Sequence, residues 1–320
     1  MTDWHFAPGQ NFECSQCARC CRGWRISVDA HTAQNLKTTS FHKRLEEKDG
    51  RIFARRDSQE TCTFLTTRQS CQLHAELGST AKPRGCRQFP FRLTRTPDGI
   101  FVGTSFSCPS IQNNLGAGAE TYRDELEEMA QTLPLMGADG LEVAGESRLT
   151  WPEYLQLEAF IVQRDGLEAG LAESLWALAQ FSLDPLRPLQ VYLARSAAAL
   201  EPPDEPLMLM EHHWFGRLLR HCGETPPVRP PTRKAPKGPQ DTYLRALLHG
   251  KLLINRRPLL GNLALLYLVP SFYRFWYDQF GSLDHALDQC ERKIATHPNN
   301  LDDLVVRMAD DFRGQLDPMV

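Results

Sequence analysis

The chain lacks an apolar stretch long enough to cross a bilayer. Its longest uncharged apolar run, PLLGNLALLYLVPSFY at residues 258–273, is interrupted by Gly261, Asn262 and Pro270. That falls short of the ~20 apolar residues a spanning helix needs, so the run reads as a buried core helix and no membrane contact is expected. The opening residues, MTDWHFAPGQ, have neither a basic start nor an apolar core. No signal peptide is expected, and the expected location is the cytoplasm. A strong charge of one sign is also missing: the net charge of −3 argues for no particular partner, and no nucleic-acid motif is found, so no nucleic acid is expected. There is no internal repeat. Glycine-rich stretches are scarce too; the only one, GADGLEVAG at 137–145, is a poor nucleotide fingerprint and reads as a loop.

Cysteine is present in quantity, but unevenly. Of ten cysteines, eight lie between Cys14 and Cys108, and only Cys222 and Cys290 lie beyond. Charge divides at the same place. Residues 1–110 hold 16 Lys/Arg against 10 Asp/Glu, and the remainder 20 against 29. The inferred organisation is α+β: a small Cys-rich metal-binding domain with short strands at 1–116, followed by an all-α helical domain at 117–320. A hydrophobic fraction of 42% lets the helical part bury its core without covalent staples.

In the second half, Thr150-Trp151-Pro152-Glu153 is a capping box with proline in the first turn. Leu155, Leu157, Phe160 and Ile161 follow at roughly helical spacing, and Leu171, Leu175, Leu178 and Phe181 continue it. Residues 208–222, 241–254, 283–295 and 301–312 read as further helices. Residues 225–240 carry six prolines and read as an exposed linker or loop. In the first half, FRLTRT and IFVGTSF flank Pro97-Asp98-Gly99 as a hairpin. That hairpin would return Cys86 and Cys108 to the same end. A turn within CTFLTTRQSC would bring Cys62 and Cys71 together.

Cys222 and Cys290 stand singly in helical patterns and read as small buried hydrophobes. Cys14 to Cys21 have Ser, Gln, Arg and Gly as neighbours, which is not a core. A reducing compartment argues against disulfides for the eight and for metal. A two-residue gap lets a tight loop aim two sulfurs at one ion, the spacing of zinc sites. Run twice, as Cys14-x2-Cys17-x2-Cys20, it resembles the opening of a ferredoxin run and favours an iron–sulfur centre over zinc. Cys21 follows Cys20 at once, and because successive side chains diverge the two need not share a metal. Cys108, which precedes Pro109, could complete a set. Four thiolates on Zn2+ or on a [4Fe–4S] cluster leave a net charge of about −2 that needs positive charge and N–H donors nearby. Arg19, Arg22, Arg25, Lys82, Arg84, Arg87 and Arg92 are interleaved with the cysteines, though they could equally face water or an anionic partner. His74, at Cys71-x2-His74, has a legal zinc spacing but reads as a structural side chain. His212-His213 reads as part of a helix rather than as a ligand pair.

The ordered segments CSQCARCC at 14–21, CTFL at 62–65, CQLH at 71–74, KPRGCRQFPF at 82–91 and SCPSI at 107–111 resemble the CxxCxxCC cysteine-cluster family, the YkgJ-type zinc- or iron-chelating domain, over about residues 10–112. That family includes flagellin lysine N-methylase. The resemblance implies that Cys14, Cys17, Cys20, Cys21, Cys62, Cys71, Cys86 and Cys108 are metal ligands, for an iron–sulfur cluster or Zn. Through its methylase member it also implies S-adenosylmethionine-dependent methyl transfer to a protein lysine, although no catalytic residue can be matched. The C-x3-C-x2-C spacing of radical S-adenosylmethionine enzymes is missing. The alternative expectation is a non-catalytic, metal-stabilised module. Either way, a protein partner or protein substrate is expected.

Overall fold

The computed structural model describes residues 2–22, 24–164, 166–179, 239–254 and 258–292. It is α+β, and the chain groups into two compact units. The Cys-rich unit comprises Trp4–Leu93 and Val102–Pro134. The helical unit takes Met1–Asp3, the hairpin tip Thr94–Phe101 and everything from Leu135.

The Cys-rich unit is built from short pieces. In order they are β1 (Trp4–Phe6), β2 (Asn11–Phe12), a 3-10 turn at Arg19–Cys21, α1 (Ala30–Leu36), β3 (Leu45–Lys48), β4 (Arg51–Ala54), α2 (Gln72–Leu77) and α3 (Arg84–Gln88). Then come β5 (Phe91–Thr96), β6 (Gly99–Thr104), α4 (Pro109–Gln112), β7 (Ala117–Gly118) and α5 (Arg123–Ala130). The expected hairpin is β5–β6, and its sheet has the order β1–β6–β5. β3 and β4 form a second hairpin, Leu45 opposite Ala54. Its turn, Asp49-Gly50, has φ of 54° and 69°, the left-handed pair that a two-residue hairpin loop demands.

Two apolar clusters hold these pieces. Val28, Ala33, Leu36, Phe41, Ala54, Cys62, Phe64 and Leu73 form one, with Cys21 and Cys71 packed against it. Phe12, Phe91 and Tyr122 form a ring cluster, with centroids 5.2–5.3 Å apart.

The helical unit contains β8 (Leu141–Ala144), β9 (Ser147–Leu149), α6 (Trp151–Gln163), α7 (Leu167–Ala179), α8 (Pro239–His249), α9 (Leu259–Phe280) and α10 (Leu283–Glu291). The sequence at 137–145 reads as a loop, but Leu141–Ala144 pairs with β9 as a hairpin. Leu141 and Val143 are buried on either side of exposed Glu142, a two-residue period too short to stand out between glycines. The capping box at α6 is present: Thr150 N–H donates to Glu153 at 2.7 Å, and Glu153 N–H donates to Thr150 Oγ1. On α6, Tyr154 and Ile161 are buried, while Phe160 faces out under the Arg164 guanidinium. Gly170 lets α6 and α7 approach closely, since a Cβ there would lie 2.5 Å from the Ile161 carbonyl oxygen.

α9 is the core helix expected at 258–273, extended to Phe280, with sixteen of its twenty-two residues buried. It ends at Gly281, whose φ of 62° supplies the left-handed cap. Lys251 is buried, ion-paired with Glu158, and its Nζ lies 4.0 Å from the centre of the Phe101 ring. The last two residues of the proline-rich stretch form the first turn of α8. Its remainder at 225–238, the helices expected at 208–222 and 301–312, and Cys222 lie outside the described residues. Cys290 is fully buried, as expected of a small core residue. No helix among the described residues is long and apolar enough to cross a membrane.

Candidate metal centre

Each C-x2-C gap in Cys14–Cys20 contains one left-handed residue, Gln16 (φ 51°) and then Ala18 (φ 58°). A non-glycine residue in that region costs on the order of 1 kcal/mol or more, and such outliers gather at functional sites. Here they wind the loop tightly enough to turn it through the 3-10 turn at Arg19–Cys21. The result departs from the expectation that adjacent side chains diverge: Cys20 Sγ and Cys21 Sγ are 3.9 Å apart. Two thiolates on one tetrahedral Zn2+ would be separated by ~3.8 Å, given Zn–S bonds of ~2.3 Å.

Backbone contacts fasten the other segments to this loop. Cys62 N–H donates to the Cys21 carbonyl at 2.8 Å. Leu65 and Cys71 form a bridge, and Gln72 N–H donates to Phe64 O at 2.8 Å, so the turn in CTFLTTRQSC does carry Cys62 to Cys71. Ser15 N–H donates to Ser110 Oγ at 3.3 Å, fastening the Cys14–Cys17 loop to the start of α4. Ser105 N–H donates to Pro90 O at 2.8 Å, fastening the approach to Cys108 to the end of the α3 segment.

Two of the thiols occupy helix N-caps: Cys71 precedes α2 and Cys108 precedes α4. At Cys108 the amides of Ile111 and Ser110 favour a negative sulfur. Cys86 lies within α3. The segment before α3 is anchored by Asp29, whose carboxylate caps α1 by accepting from Thr32 N–H and also accepts from Arg84 N–H at 2.9 Å.

The electrostatics single out Cys20. A hydrogen bond with Cys21 and then the protein around its sulfur push the Cys20 thiol far above the ordinary range, although the residue keeps an exposed flank. Burial pushes Cys62 up, and the charges of Cys71 and Cys20 add to it. Burial pushes Cys86 up to about 12, reinforced by Cys20, Cys62 and Cys71 and opposed by Lys82. Burial pushes Cys108 up to about 11, reinforced by Cys17 and Cys20 and opposed by the amides of Ile111 and Ser110. Cys86 and Cys108 thus both feel Cys20. Cys14 lies toward Tyr122, whose hydroxyl it helps to raise after burial and the nearby Glu125 and Glu13. Thiols raised in this way hold their protons at neutral pH until a cation replaces them.

The arrangement is a neighbourhood of thiols rather than a closed coordination shell. Among the described residues, no three Cys, His, Asp or Glu side chains are grouped so as to hold a metal ion. None of the described cysteines is joined in a disulfide. His74 is exposed in the last turn of α2.

The donor chemistry fits a thiolate-held metal. Thr104 Oγ1, Ser105 Oγ, Ser107 Oγ, Arg19 Nη1 and Arg87 Nε are buried and have no hydrogen-bond partner. All lie on the turn of Cys20, beside Cys86, or on the approach to Cys108. Bound thiolates or sulfides would supply acceptors to such donors.

The interleaved basic residues divide by role. Arg84 donates to Met129 O and Thr132 Oγ1, Arg92 to Thr104 O, and Arg25 lies over the Phe53 ring. Lys82 is the cation that acts on Cys20 and Cys86. Sequence reasoning missed Asp29 and the three hydroxyls. Ser105 and Ser107 flank Phe106 just before Cys108, and an unusual density of small polar residues beside a cysteine is the only signal the sequence offered.

Compared with known proteins, residues 13–109 match the model of the family CxxCxxCC, described as "Putative zinc- or iron-chelating domain". All eight clustered cysteines fall inside the match. No curated protein and no solved structure matches the chain.

Proposed function

We propose that residues 13–109 chelate a zinc or iron centre through a pool of cysteine thiolates in which Cys20 is shared, and that the bound metal fixes this unit for a protein partner or protein substrate. The observation that supports it is the convergence on Cys20. Its Sγ lies 3.9 Å from Cys21 Sγ, and it is near enough to raise the thiols of Cys62, Cys86 and Cys108, which come from three separate segments. Cys14, Cys17, Cys20, Cys21, Cys62, Cys71, Cys86 and Cys108 are the candidate ligands. When bound, the metal supplies positive charge that lets the thiols ionise. The chain itself supplies the tight loop, the amides at Cys108, and Lys82. Methyl transfer, as in the methylase of the family, gains no support from residues 137–145, whose Leu141–Ala144 is a strand of a hairpin.

The test is protein purified without oxygen, with its metal content and absorption spectrum. A brown sample absorbing near ~400 nm assigns an iron–sulfur centre. A colourless one carrying stoichiometric zinc assigns a Zn site. Cys20→Ala is expected to abolish metal retention and Cys290→Ala to leave it intact. Wild-type protein that holds neither metal and takes up neither would overturn the reading.

A further inference from the structure

We infer that Arg19 and Arg87 are positioning residues of the metal centre, donating N–H groups to its metal-bound thiolates or sulfides and offsetting its negative charge. This rests on the metal-chelating reading above and adds to it two residues outside the cysteine motif.

The argument begins with what a guanidinium can do. It only donates, through five N–H groups in a rigid planar fork, and stays charged at every relevant pH. Burying one of those N–H groups without an acceptor is destabilising, because its hydration is lost and nothing replaces it. Arg19 Nη1 and Arg87 Nε are both in that position. Each adjoins a candidate ligand: Arg19 opens the 3-10 turn that holds Cys20 and Cys21, and Arg87 follows Cys86 in α3. In Arg87, Nη1 donates to Glu128 at 3.2 Å, while Nε is buried with no acceptor.

Other arginines of the unit are accounted for by protein. The Arg84 guanidinium has a backbone carbonyl and a hydroxyl, and Arg44 has Thr63 O and Gln72 Oε1. The missing acceptor therefore recurs at two arginines next to cysteines from separate segments, Arg19 beside Cys20 and Arg87 beside Cys86. An anionic sulfur centre carrying about two negative charges is the acceptor the chemistry calls for.

The experiment titrates reduced, oxygen-free full-length protein with Co2+, read by thiolate-to-cobalt charge-transfer absorption, and then competes Zn2+ against it. The proteins are wild type, Arg19→Leu, Arg87→Leu, Arg19→Lys and, as an exposed control, Arg68→Gln. Both leucine variants are expected to lose about 10–100-fold in metal affinity, the usual cost of removing a group that supports a ligand. Arg19→Lys should lose less, and the control nothing. The metal-free leucine variants should melt at or above the wild-type temperature, because a buried donor without an acceptor is a liability in the absence of metal. That combination separates a ligand-directed role from a merely structural one, which would lower the metal-free melting temperature and leave affinity alone. Wild-type uptake with unchanged affinity in both leucine variants overturns this inference and leaves the metal site standing. No uptake of either ion by wild type brings down the metal reading and this inference with it.

Discussion

The two units of this chain stabilise themselves by different means. The helical unit is organised by α9, twenty-two residues long with sixteen buried, and by the packing of α7 and α10 against it. Burial of that extent needs no further cross-link. The Cys-rich unit has no described helix longer than the eight residues of α5, and two of its three sheets are ribbons whose strands are two to four residues long. One of its apolar clusters already counts Cys62 among eight members and has Cys21 and Cys71 at its margin. The described cysteines of this unit form no disulfide, so a cross-link beyond apolar burial would have to come from metal. Cysteine is thus packing material in both units, and in the Cys-rich unit it is also the proposed metal ligand.

The largest expected effect breaks the molecule along this line. Removing metal with a chelator should expose residues 13–109 to trypsin while most of the far-ultraviolet helical signal survives, because the long helices lie in the other unit. Structural zinc contributes on the order of 10 kcal/mol to small domains, so the loss should be of the whole Cys-rich unit rather than of one loop. Unchanged proteolysis after verified metal removal would mean that the apolar clusters hold that unit alone.

The reciprocal change is Leu263→Ala, at a position with 0% exposure on α9. It should cost about 2–5 kcal/mol through lost burial and the cavity left behind. The thermal transition of the helices should fall, and metal uptake should stay at its wild-type level. If Leu263→Ala weakens metal retention as strongly as it lowers the melting transition, the two units depend on each other and the contrast drawn above fails.

Local signals were what the sequence made legible. The capping box at Thr150, the β5–β6 hairpin at Pro97-Asp98, the turn between Cys62 and Cys71 and the buried run in α9 each rest on residues close together in the chain. The clustered cysteines were legible for the same reason, as spacing. What was not legible depends on backbone angles or on distance along the chain. The sulfurs of Cys20 and Cys21 share a side, and Ala18 before them takes a φ of 58°, which alanine rarely adopts and no composition rule anticipates. The strand Leu141–Ala144 is hidden because its alternation lasts only three residues between glycines. Asp29 lies 55 residues from the amide it accepts, a separation at which pattern reading has no purchase. The unpartnered donors of Arg19 and Arg87 are a property of burial, and burial is known only once the segments are assembled.

Asp29 provides the smallest and most local test, because it sharpens how the Cys-rich unit holds its ligands before any metal binds. Burial pushes the Asp29 carboxyl up, but the amides of Arg84 and Thr32 outweigh it, and the net displacement is below the ordinary value. A carboxyl whose folded pKa is lowered contributes stability that is fully present above its unfolded pKa, about 3.9. That contribution is lost as pH falls through the lower folded value. Acidification below about pH 4 should therefore loosen the junction between α1 and the start of α3, where Cys86 lies. Asp29→Asn keeps an acceptor oxygen but removes the charge, and should cost about 1 kcal/mol at neutral pH, the scale of a helix cap. Its denaturant midpoint should also vary less than that of wild type between pH 5 and pH 3. The comparison is made on metal-free protein, so that ligand protonation does not enter through the metal. A variant that keeps the full wild-type acid dependence would show that another carboxylate secures this corner of the unit.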